Sequence, residues 1–135
     1  PCIRNNLNKQ HMERTLFERL GGREGISAIV DTTVNNHMEN PAVNPRFLPL
    51  KDQPERLRII KDHTIDFFSM GSGGPANYKG MDMVAAHTGM NISPGEYYHV
   101  MDDIMLALDA NGIDEESKKD VLAVLWSLKG MIVAK

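Results

Sequence analysis

Apolar residues in this chain recur every three or four positions, and no segment of useful length alternates at every second one. That periodicity puts one apolar stripe on each of several helices and leaves no half-buried strand to build a sheet from. The expected fold class is all-α. Capping residues, glycines and prolines cut the chain into segments. Thr15 and Glu18 have the spacing of a capping box, opening a short first helix that Gly21 and Gly22 stop. A second helix is expected from Glu24 to about Asn40, with Ile26, Val30, Thr33, Val34 and His37 near one face and Pro41 after its end. A loop with Pro41, Pro45 and Pro49 carries Phe47. Asp52 is the expected cap of a third long helix, with Pro54 in its first turn and Glu55 in the reciprocal position. Its stripe runs through Leu57, Ile60, His63 or Thr64, Phe67 and Met70, and Gly71, Gly73, Gly74 and Pro75 end it.

A shorter helical segment from Met81 to Met90 groups Met83, Val84, His87 and Met90. Ser93, Pro94 and Glu96 are the clearest start signal, for a helix through Tyr97, Val100, Met101, Ile104 and Leu108 that stops at Gly112. Asp114 begins the last helix, striped by Val121, Leu125, Leu128 and Ile132. At 135 residues, 41% of them hydrophobic, the chain suits one domain with a real core. Residues 1–14 are polar and aperiodic and read as a flexible extension, leaving 15–135 as the domain. A net charge of −3 gives no cationic excess for a nucleic acid partner. No run approaches the roughly 18 apolar residues of a membrane span, and the cytoplasm is the expected location.

Cys2 is the only cysteine, which excludes an internal disulfide and a thiolate zinc cluster. Gly71-Ser72-Gly73-Gly74 follows a helix rather than a strand, so it is a helix stop and not a hydrolase elbow. The histidines carry the remaining chemistry. His11 lies in the polar extension. His99, one turn before Asp102 and Asp103, is expected in a solvated ion pair, and His37 near exposed helix-end carbonyls. His63 and His87 differ because each sits mid-stripe among apolar neighbours, where an imidazole needs a partner. Each alone suits a core residue bonded to a carbonyl; two on helices joined by a glycine-rich turn suggest a guest with two coordination positions between them. A flat iron macrocycle meets that description. Zinc would need more ligands, since Asp62, Asp66 and Asp82 point off the two histidine faces.

The segments Leu-Phe-Glu-Arg-Leu-Gly-Gly at 16–22, Gly-Gly-Pro-Ala-Asn-Tyr-Lys-Gly at 73–80 and Met-Val-Ala-Ala-His at 83–87 make the chain similar to the truncated hemoglobins, most closely their group I. The resemblance spans Thr15 to Lys135. It implies a two-over-two helical sandwich with a shortened first helix, a short proximal-histidine helix, and heme b as cofactor. By that resemblance His87 is the proximal iron ligand and His63 a distal histidine of the cyanobacterial kind that supplies a sixth ligand. Phe47 and Tyr97 then pack on the macrocycle. Ile60, Thr64, Phe67, Tyr78 and Met83 complete the expected heme contacts, with Lys61 and Lys79 as partners for its propionates. The family's Phe-Tyr pair on the second helix is replaced by Thr33 and Val34, so the usual tyrosine donor to bound oxygen is missing. Glutamines frequent on the distal helix give way to Ile60 and Thr64. Loss of the donor weighs toward reversible binding of oxygen, nitric oxide or carbon monoxide. It weighs against a nitric oxide dioxygenase, which together with a bis-histidine electron carrier is the alternative. A reductase is the implied partner in a redox cycle.

Overall fold

Residues 14–135 are described here by a computed structural model, so the proposed extension lies almost wholly outside the described residues, as does His11. Among the described residues, seven α-helices and one 3₁₀ turn follow in order: α1 Leu16–Arg19, α2 Gly22–Glu39, α3 Asn44–Phe47, the 3₁₀ turn Leu48–Asp52, α4 Pro54–Gly71, α5 Met83–His87, α6 Pro94–Ala110 and α7 Glu115–Ile132. The described residues hold no sheet; one isolated bridge joins Ile92 to Val133. Helices α2 and α4 pack on each other, α2 crosses α6, and α6 packs on α7, which makes the two-over-two sandwich of a truncated globin.

The start signals act as the residue types demand. The Thr15 hydroxyl accepts from the Glu18 amide at 3.1 Å, Ser93 from Glu96 at 3.0 Å, and Asp114 from Ser117 at 3.1 Å, each satisfying an amide that a helix start leaves orphaned. Asp82 caps α5 in the same way, through the Ala85 amide at 2.9 Å. The expected cap of α4 is corrected: Gln53 rather than Asp52 stands at the N-cap and makes no side-chain bond, because the 3₁₀ turn extends through Asp52 and absorbs it. The proline-rich loop around Phe47 is likewise shaped into α3 and that turn. Four starts carry a proline, Pro45, Pro49, Pro54 and Pro94, each in the first turn, where a missing N–H costs nothing.

Both glycine pairs border the first helix, Gly22 and Gly74 against Phe17. Gly21 adopts φ +93°, a left-handed turn that lets α2 begin immediately after α1. Gly74 lies so close to Phe17 of α1 that a Cβ there would come within 2.4 Å of the ring, and the Phe17 amide donates to the Ser72 carbonyl at 2.9 Å. The abbreviated first helix is thus pinned to the end of α4. Behind it the core is continuous, from Leu20, Ile26 and Val30 through Ile104, Ala107 and Leu108 to Val121, Leu125 and Ile132. That core forms the floor on which a cavity opens.

Candidate functional site

A cavity of about 620 Å3 lies between α2, the α3 region, α4, α5 and α6, closed below by α7. From α4 the side chains of Ile60, His63, Thr64 and Phe67 enter its wall, as the stripe of that helix requires. Met83 and His87 come from α5, Tyr78 from the loop before it, Phe47 from the end of α3 and Tyr97 from α6. All nine residues expected at the site therefore share one cavity. Thr33 and Val34 line it from α2.

The two histidines have different settings. His87 is partly buried, and its Nδ1 is 2.7 Å from the Met83 carbonyl one turn back. A carbonyl only accepts, so Nδ1 carries the proton and Nε2 keeps its lone pair for a ligand-binding role. His63 is exposed rather than buried as its stripe predicts, standing at the open edge of the cavity with Tyr78 edge-on to its ring at 6.1 Å. Its position mid-helix is as expected; what differs is that α4 borders the mouth of the cavity instead of a closed core.

The polar rim is richer than the sequence suggests. Lys61 reaches the rim but is paired with Asp31 at 3.1 Å, and Lys79 does not line the cavity. Arg46 and Arg56, neither of them singled out by periodicity, do line it. Arg46 is gripped by Glu96, which raises the guanidinium's pKa further, and it also donates to the Met90 carbonyl at 2.9 Å. The only sequence signal for Arg46 is its place beside Phe47.

Hydroxyls on the wall are mostly committed. Thr64 donates to the Ile60 carbonyl at 2.8 Å, Tyr78 to Met81 at 2.6 Å, and Tyr97 to Leu125. Burial pushes the Tyr97 phenol up to about 12 and raises Tyr78 in the same direction. Thr33 alone among these cavity-lining hydroxyls has no such bond to a described residue.

The expectations for His37 and His99 are corrected. His37 does not meet helix-end carbonyls: its Nδ1 lies 2.7 Å from Asp103 Oδ2, with both side chains about 6% exposed. Asn40 donates to both Asp103 oxygens at 3.1 Å, and Phe47 tilts against the imidazole at 4.7 Å. His99 is left beside Asn40 at 3.5 Å, because Asp103 turns inward toward α2. Sequence reasoning missed this pair because its partners lie 66 positions apart on different helices.

An all-helical two-over-two sandwich around a largely apolar cavity with three imidazoles on its wall, those of His37, His63 and His87, is the architecture of a globin. The sequence profile of the bacterial-like globins matches residues 15–134, and the chain belongs to that family. Its relatives are truncated hemoglobins. It is 27% identical over 102 residues to the group 1 truncated hemoglobin of Tetrahymena thermophila, covering 76% of this chain and 80% of that one. With the group 1 truncated hemoglobin GlbN of Nostoc sp. (strain MUN 8820) it shares 24% over 121 residues, 90% of this chain and 98% of the other. Among solved structures, the Fe(III) truncated hemoglobin of Tetrahymena pyriformis superposes with a TM-score of 0.80 at 24% identity, over 90% of this chain and all of that one. The group II truncated hemoglobin of Bacillus anthracis gives 0.77 at 25% identity, over 90% and 92%.

Proposed function

We propose that residues 15–135 form a group I truncated globin domain that holds a noncovalent heme b and reversibly binds oxygen or another diatomic ligand. In this reading His87 is the proximal iron ligand and His63 the distal sixth ligand. The observation that carries it is the pairing of His63 and His87 on one apolar cavity, with the His87 Nδ1 proton engaged by Met83 and its Nε2 lone pair left over.

The donor set fits a macrocycle better than a bare ion. No group of three or more His, Cys, Asp or Glu side chains that could hold a metal exists among the described residues, whereas a porphyrin brings four nitrogens and asks the protein for two. Phe47, Phe67, Met83 and Tyr97 supply apolar walls for its faces and edge, and Arg56 brings positive charge to the wall where a propionate would lie, while Arg46 and Lys61 already pair with Glu96 and Asp31. When bound, the heme supplies an iron with one exchangeable position.

The chain's own residues then set what that position does. The wall excludes water, which protects a ferrous centre from oxidation. His63, if it swings between iron and the open edge, lowers apparent ligand affinity by the fraction of time it closes the site. Val34 offers no hydrogen bond to a ligand, and the Thr64 proton is committed to Ile60, so Thr33 is the remaining hydroxyl donor on the wall. Weak polar stabilisation of bound oxygen favours exchange of ligands over oxygen-consuming chemistry. No helix among the described residues is long and apolar enough to cross a membrane; the cytoplasm as location and a reductase as partner belong to this proposal.

The test is titration of the purified chain with hemin, followed by ferric, ferrous and carbon monoxide spectra. The expected result is saturation at one heme per chain with low-spin, six-coordinate bands before carbon monoxide is added. A colourless protein that takes up no hemin would mark a helical interaction module instead.

A further inference from the structure

Most polar groups on the cavity wall have a fixed task. Arg46 is held by Glu96 and Lys61 by Asp31; Tyr78 and Tyr97 donate to carbonyls. Arg56 is a permanent cation. His63 and His87 are the proposed iron ligands. One titratable group remains, His37, which lines the same cavity while being 5% exposed. Its Nδ1 proton goes to the Asp103 carboxylate, which can only accept, and Nε2 has no hydrogen-bond partner among the described residues. Among the described residues Nε2 is not one of the fully buried side-chain atoms without a hydrogen bond, so it keeps some accessible surface and its lone pair stays available at the cavity wall.

We propose that His37, backed by Asp103, is the proton acceptor of the cavity, taking the proton of a small neutral weak acid that enters the apolar space and binds as its anion. The inference rests on the heme reading, which supplies the cationic centre for the anion. The step is a proton transfer alone: the H–X bond breaks, its electron pair stays on X, and the proton forms an N–H bond at His37 Nε2. The resulting imidazolium lies against the Asp103 carboxylate at 2.7 Å, which compensates the new buried charge. Asn40 donates to both carboxylate oxygens and holds Asp103 in orientation.

Burial, the larger influence, pulls His37 below its ordinary 6.5, and Asp103 pulls it back up. The ring is therefore neutral at physiological pH, as a base must be. Charged or titratable groups on the elements around it include Glu39 on α2, Tyr97, His99 and Asp102 on α6, the Arg46–Glu96 pair next to Phe47, Arg56 and Lys61 on α4, and Tyr78 in the loop before α5. His99 is exposed and meets Asn40, which itself donates to Asp103.

Hydrogen cyanide is the probe, because it enters neutral and binds as an anion, and carbon monoxide is the control, because it binds without giving up a proton. Both are measured on heme-loaded protein, cyanide on the ferric and carbon monoxide on the ferrous form. All chains carry His63→Ala so that departure of that ring does not limit entry. His37→Gln, which still donates to Asp103 but has no basic nitrogen, is expected to slow cyanide uptake about a hundredfold. Carbon monoxide uptake should stay unchanged. Asp103→Asn should slow cyanide less, again without touching carbon monoxide. Nitrogen NMR of the otherwise unaltered chain should show His37 protonated at Nδ1 and bare at Nε2 near neutrality. Unchanged cyanide rates, equal losses for both ligands, or a protonated Nε2 would overturn the inference. Failure to take up hemin would overturn the heme reading itself, and a coloured protein with unchanged cyanide rates only this step.

Discussion

Replacing His87 with alanine is expected to strip heme from the protein during ordinary purification. The imidazole is the only proposed iron ligand held in place from both sides: its Nδ1 proton is tied to the Met83 carbonyl, and α5 is itself fixed by the Asp82 cap and by packing against α7. Losing a hydrogen-bond partner of a metal-bound histidine already costs about 10- to 100-fold in affinity, so losing the ligand should accelerate heme release by at least about a hundredfold. Transfer of heme to an excess of apomyoglobin measures this rate. Free imidazole added to the variant should slow the release, because the cavity wall that receives the ring is unchanged. Retention equal to that of the unaltered chain would place the proximal contact elsewhere.

His63→Ala should have the opposite sign for ligand binding. The ring stands at the open edge of the cavity with no hydrogen bond to a described residue, so nothing in the protein holds it away from iron or on it. If it closes the site ten times more often than it leaves it open, removing it raises carbon monoxide affinity about tenfold, and a hundred-to-one ratio gives about a hundredfold. The ferric spectrum should change from low-spin, six-coordinate to high-spin. Heme retention should fall far less than in the His87 variant. An unchanged spectrum would remove the distal ligand and leave the globin fold as it stands.

Much of this is legible in the sequence alone, for identifiable reasons. Helix stripes and caps depend on residues three or four apart, so Thr15, Ser93 and Asp114 announce their helices locally, and the stripe through Ile60, Thr64 and Phe67 finds the cavity wall. Local signals also mislead where a neighbouring element competes. Asp52 has the right spacing to cap α4, yet the 3₁₀ turn claims it. Contacts between distant segments leave no such trace. The His37–Asp103 pair joins α2 to α6, the Arg46–Glu96 pair joins α3 to α6, and neither follows from periodicity. Nor does a stripe say whether a helix faces a sealed core or the mouth of a cavity, which is why His63 is exposed although its neighbour Ile65 is 6% exposed.

A crystal structure of the heme-loaded chain tests the central claim most directly. The account predicts iron bonded to Nε2 of His87 on one face and to the His63 ring on the other, with Phe47 and Tyr97 against the macrocycle. Iron bonded to some residue other than His87, or a heme lodged outside the cavity bounded by α2, α4, α5 and α6, would contradict it.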